Sequence, residues 1–131
     1  MESRTVTVML EAPSQRAFEY LSQPENLPRW ATEFARELRV EGGRYTVVNG
    51  LGEFLFRIDA DEATGVIDMY AGPSEEELAL FPTRVVPLSG DRTAYTFTMF
   101  QAPGMPDQLF ESQYQSLRRE LENVKREVLT A

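Results

Sequence analysis

The sequence predicts an α+β domain in which a curved antiparallel sheet wraps around one long C-terminal helix. Three observations carry this. Between Glu37 and Gln101, β-rich runs alternate with turn residues at roughly ten-residue spacing, the pattern of an antiparallel meander. From Asp107 to Val128, the residues Phe110, Tyr114, Leu117, Leu121, Val124 and Val128 recur at spacings of three and four, which makes one apolar helix stripe. A sheet with one apolar face must cover it, and that stripe is the only one large enough to do so.

The elements follow in the order β-α-α-β6-α. Thr5 to Leu10 alternates with period two and places Val6, Val8 and Leu10 on one face. Pro13 suits the first turn of a helix, where its missing N–H is not needed, and Ala17, Phe18 and Leu21 share one face of that helix. Pro24 and Pro28 punctuate a second short helical piece that presents Leu27, Trp30 and Phe34. Leu38–Glu41 and Arg44–Val48 flank Gly42-Gly43, a hairpin whose glycines tolerate positive φ. Asn49-Gly50 is a second hairpin signal. Glu53–Asp59, Val66–Tyr70, Leu78–Leu88 and Ala94–Gln101 are the remaining strands, with turns at Asp61–Gly65, Gly72-Pro73-Ser74 and Ser89-Gly90-Asp91. Gly104 and Pro106 end the sheet, and Asp107 opens the last helix at the end its dipole favours.

The bulk properties fit one domain over residues 1–131, with 42% hydrophobic and 26% charged residues. A net charge of −8 argues against nucleic acid and against docking on an anionic membrane surface. No apolar run approaches the roughly 20 residues that span a bilayer. The first residues lack the basic-then-apolar order of a signal peptide, so the expected compartment is the cytoplasm. The expected assembly is a monomer or a homodimer.

A sheet bent around one helix cannot close on it everywhere, so a space is expected between them. The bulky side chains aimed at it are Trp30, Phe54, Phe56, Tyr70, Phe97, Met99, Phe110 and Tyr114, with Leu117 beside them on the helix. The alternative is that these residues simply fill a solid core.

Three runs of the opening, Val8-Met-Leu-Glu-Ala-Pro, Ala17-Phe-Glu-Tyr-Leu21 and Pro24-Glu-Asn-Leu-Pro-Arg-Trp30, resemble the start of the START and Bet v 1-like group, the helix-grip fold. Gly65-Val-Ile-Asp68, Pro82-Thr-Arg-Val-Val-Pro87, Thr96-Phe-Thr-Met-Phe100 and Pro103-Gly-Met105 are similar to its small bacterial polyketide cyclase/dehydrase-like members. The resemblance covers essentially the whole chain. It implies a small hydrophobic or aromatic ligand, lipid- or polyketide-like, between sheet and long helix. It carries no catalytic motif onto this chain, because the superfamily hosts carriers, cyclases, hydrolases, receptors and co-chaperones.

Several chemistries are excluded by residue type. With no histidine and no cysteine, there are no triads, thiolates or preferred zinc ligands, and neither a cofactor nor a metal is expected. The single lysine, Lys125, lies on the charged side of the last helix, which does not suit a Schiff base. Asp59-Ala-Asp-Glu-Ala-Thr-Gly65 has Tyr70 where a calcium loop needs its bidentate glutamate, and reads as a solvated hairpin tip.

The remaining polar candidates are ambiguous. A turn centred near Glu62 places Asp68 opposite Phe56 or Arg57, and one residue of register decides which face it takes. On the face of Phe56 and Tyr70 it would enter the cavity and its pKa would rise by desolvation; beside Arg57 it forms an ion pair outside, the preferred reading. Arg84 either holds a ligand carboxylate or phenolate inside, or is an ordinary strand arginine outside. Tyr70, Tyr114 and Gln101 are candidates for neutral hydrogen bonds within an apolar pocket. Two functions follow. The first is a non-catalytic binding module. The second is a cyclase- or dehydratase-type enzyme with Asp68 as base and Arg84 or Tyr70 as oxyanion partner. A protein-interaction domain is a third and weaker reading.

Overall fold

The fold was analysed in a computed structural model that describes residues 1–130. Strand β1 (Ser3–Leu10) leads into helix α1 (Ser14–Leu21), a 3₁₀ turn (Pro24–Asn26) and helix α2 (Leu27–Trp30). Six strands follow: β2 (Glu37–Glu41), β3 (Arg44–Asn49), β4 (Gly52–Asp61), β5 (Val66–Gly72), β6 (Ala79–Leu88) and β7 (Arg92–Phe100). Helix α3 (Asp107–Thr130) closes the chain, as its stripe predicts. Pro13 stands just before α1 with extended backbone, and its carbonyl accepts the first helical N–H from Ala17.

The seven strands form one antiparallel sheet in the order β1-β7-β6-β5-β4-β3-β2. The meander accounts for five of the six pairings. The sixth returns β1 to the last strand, with Ser3 opposite Phe100 and Leu10 opposite Thr93. Alternation then sorts the side chains. Phe54, Phe56 and Ile58 of β4, Ile67, Met69 and Ala71 of β5, and Tyr95, Phe97 and Met99 of β7 point inward against α3 and α2.

Both glycine hairpins form, one of them shifted. Gly42 and Gly43 adopt φ of 56° and 79° between Glu41 and Arg44. At the second, Asn49 pairs with Gly52, so the turn residues are Gly50 and Leu51 and not Asn49-Gly50. The reason is the Asn49 side chain. Its Oδ1 accepts the Leu51 N–H at 2.8 Å and its Nδ2 donates to the Phe34 carbonyl at 2.7 Å, which holds Asn49 in the strand.

Tyr95 sits at the centre of the core, fully buried and edge-on to Phe97. Its hydroxyl is the one side-chain polar atom among the described residues that is fully sealed from solvent and has no hydrogen-bond partner. Burial pushes its pKa up, and the opposing influence of the Thr83 hydroxyl is weaker. That hydroxyl already donates to the Ile67 carbonyl at 2.6 Å, and no hydrogen bond of normal geometry joins it to Tyr95. An orphaned buried hydroxyl destabilises, so Tyr95→Phe is expected to gain about 1 kcal/mol in urea unfolding. A loss of similar size would show that Thr83 and Tyr95 are bonded.

Candidate functional site

A cavity of about 510 Å³ lies between the sheet and α3. Its floor is the inner face of the four central strands: Phe56, Met69, Ala71, Phe81, Phe97 and Met99. Leu27, Trp30 and Ala31 close one side, and Ser112, Ser116, Leu117 and Glu120 of α3 form the roof. Small side chains stand where large ones would meet, notably Ala71, Ala31, Ser112 and Ser116, and this keeps the space open. The aromatic groups brace one another from the sides. Trp30 meets Phe97 edge-on at 6.4 Å, and Phe81 lies 6.1 Å from Phe97. Leu51 and Leu109 stand exposed on the rim, where the β3–β4 turn faces the first turn of α3.

The polar wall lies between α3 and residues 33–36. Glu120 is only 5% exposed. Its Oε2 accepts the backbone N–H groups of Glu33 at 3.1 Å and Phe34 at 2.9 Å. Desolvation pushes its pKa up to about 7, against the two N–H bonds that favour the carboxylate. Glu33 itself is clasped by Arg119 through two bonds of 2.9 and 2.7 Å and by the Ser116 hydroxyl at 3.0 Å. Chiefly through the Arg119 bond, its pKa is held below the usual carboxylate range. Asn123 adds a bond to the Trp30 carbonyl at 3.0 Å. These contacts fasten the α2–β2 segment to α3 and set the height of the roof.

Of the residues expected at the cavity, Trp30, Phe56, Phe97, Met99 and Leu117 line it. The others stand elsewhere. Tyr70 projects from the outer face, opposite Arg57, whose guanidinium lies 4.4 Å above its ring. Asp68 is also outside, opposite Asp59 and not Phe56 or Arg57. The β4–β5 loop explains both. It joins Asp61 to Val66 through four residues, so its centre falls past Glu62, and Phe56 pairs with Ala71 instead. Arg84 is exposed and donates to the Thr64 carbonyl at 3.3 Å.

Gln101 is buried but structural. Its Oε1 accepts the Glu2 N–H, and its Nε2 donates to the Met105 carbonyl and the Asp107 carboxylate. Phe110 is buried away from the cavity wall, and Tyr114 receives Arg4 over its ring at 4.7 Å. Phe54 packs against the margin of the core. The cavity instead takes the neighbouring row of α3, where Leu109, Ser112, Gln113, Ser116 and Glu120 follow at spacings of one, three and four. Sequence reasoning missed Glu120, Phe81, Met69 and Ala71, and named Phe34 only as part of the second helical piece, not as a cavity residue. A signal for Glu120 exists: it lies three residues after Leu117 and four before Val124, on the inward side.

No family model matches the chain, and no curated protein sequence does. Solved structures are similar over its whole length. A START superfamily protein from Mycobacterium smegmatis aligns with a TM-score of 0.68 at 16% identity, over 98% of this chain and 97% of that one. The Zhui aromatase/cyclase from Streptomyces sp. R1128 aligns at 0.66 and 21% identity, over 98% and 92%. Ara h 8.0201 aligns at 0.64 and 22% identity, over 99% of both chains. With a seven-stranded antiparallel sheet curved around a long C-terminal helix, the chain has the helix-grip fold that its opening sequence resembles.

Proposed function

We propose that the protein binds a small hydrophobic or aromatic molecule, lipid- or polyketide-like, in the cavity between sheet and α3. The observation that carries this is an unfilled space of about 510 Å³ floored by aromatic and apolar side chains. That size and lining are usual for small-molecule sites. Trp30 is the only tryptophan of the chain and forms part of the wall, so its emission reports occupancy directly.

Native mass spectrometry of the purified protein, followed by solvent extraction, is the test. A hydrophobic compound of defined mass is expected, and its removal is expected to change Trp30 emission. Ala71→Leu fills the floor and is expected to abolish retention, whereas Asp68→Asn and Arg84→Ala, on the outer face, retain it. Retention in Ala71→Leu together with loss in Arg84→Ala would place the ligand outside the cavity.

Acid–base chemistry on the same ligand is the second reading, and Glu120 favours it. A general base works best with a pKa near the working pH, and Glu120 is a buried carboxyl in the cavity wall with a pKa of about 7. The name of Zhui as an aromatase/cyclase supports this reading. In such an enzyme Glu120, not Asp68, is the carboxylate, and Glu120→Gln loses turnover while it still binds.

A further inference from the structure

We infer that the ligand enters with a hydrogen-bond donor, a hydroxyl on an otherwise apolar body, which the unoccupied oxygen of Glu120 accepts. This rests on the cavity-binding reading and narrows its ligand class. Glu120 is buried in the cavity wall, yet only Oε2 is bonded, to the N–H groups of Glu33 and Phe34. Among the described residues Oε1 meets no donor, although a carboxylate oxygen has two acceptor positions. Holding the two N–H groups needs a single acceptor oxygen, which a neutral amide supplies without the cost of burying a carboxylate. The structural role therefore leaves the second oxygen unexplained.

Of the other polar groups in the lining, Arg36 and Ser112 are exposed and Gln113 is half-buried, and the two nearest the buried wall are already committed. The Ser116 hydroxyl donates to Glu33, and the Asn49 amide is used by Phe34 and Leu51. Glu120 is thus the buried polar group of the wall with spare capacity, and in its ionised form that capacity is for accepting. A ligand carboxylate at this oxygen would meet the ionised Glu120 at contact distance, whereas the cation of the lining, Arg36, stands exposed beside Gly50, so an anionic head is disfavoured at Glu120 itself. A site built around an acceptor rejects an isostere that lacks the donor more strongly than an apolar pocket distinguishes two apolar bodies.

Three probes of matched shape test this through Trp30 emission: 1-hydroxypyrene, 1-methoxypyrene and 1-methylpyrene. At pH 8, where Glu120 is mainly ionised, the wild-type protein is expected to bind the hydroxyl compound about 10-fold more tightly than the other two, as one hydrogen bond to a charged group provides. Glu120→Gln keeps an acceptor for Glu33 and Phe34 and turns an amide N–H₂ to the cavity. It is expected to lose most of that preference and to gain affinity for 1-methoxypyrene, which only accepts. Equal binding of all three by the wild-type protein would overturn the role of Glu120 and leave the cavity reading standing. Binding of none would overturn both.

Discussion

Wild-type protein is expected to be more stable at pH 5 than at pH 8 by about 2.5 kcal/mol, and Glu120→Gln to lose that difference. The folded state raises the Glu120 pKa from 4.5 to about 7, so between those values it binds a proton that the unfolded chain has released. Stability from this group is complete below the unfolded pKa and is lost as pH rises through the folded one. The full window carries roughly 3 kcal/mol, most of it between pH 5 and pH 8. Two charges face Glu120: Glu33, which pushes its pKa further up, and Arg119, which pulls it down. Glu33 and Glu25 have lowered pKa values, so their contribution is present above their ordinary values and lost only in more acid solution. Urea unfolding of both proteins at pH 5 and pH 8 separates these contributions. A wild-type stability that rises with pH across that interval would show that Glu120 is ionised at little cost.

The second large effect is expected at Gly65. This residue is buried at φ 78°, and a Cβ on it would stand 2.3 Å from the Val85 carbonyl oxygen. The close approach has a use, because the Gly65 carbonyl accepts the Val85 N–H at 2.9 Å and extends the β5–β6 ladder past Val66. Gly65→Ala thus combines backbone strain with a clash against main chain that cannot rotate away. A loss of about 3 kcal/mol is expected. Gly43 provides the comparison, since it has φ 79° with nothing within 4 Å of the added carbon. Gly43→Ala is expected to lose only about 1 kcal/mol, from backbone strain alone. Equal losses at the two positions in urea unfolding would remove the clash from the explanation.

The sheet was readable wherever alternation ran unbroken. The period-two pattern of β7 puts Phe97 and Met99 inside, and the structure agrees. On β5 the same logic failed, because Asp61–Gly65 contains no residue that reveals how many positions the loop spans. An error of that kind turned Tyr70 inward and hid Met69 and Ala71. On α3 the stripe from Phe110 to Val128 was correctly found, but a helix covers more than one surface. Part of the stripe serves the β1 side, where Arg4 meets Tyr114 and Glu111. The cavity row beside it contains serine, glutamine and glutamate, which hydropathy alone assigns to water. Its lack of charge from Leu109 to Ser116 within a helix otherwise rich in charge marks it once the fold is known.

The pairing of β1 with β7 has a consequence for how the chain comes to be folded. Thr5 meets Thr98 across 93 residues of sequence, hydroxyl to hydroxyl at 2.8 Å. During synthesis β1 therefore emerges well before its partner and cannot pair until the five strands between it and β7, and β7 itself, have been made. Contacts so distant in sequence slow folding, because the loop must close before the pairing rewards it. Through that interval the Val6, Val8 and Leu10 face stays uncovered beside an open strand edge, a template for other chains. Chaperone dependence and aggregation of this protein should thus track the delay before β7 emerges more closely than its final stability.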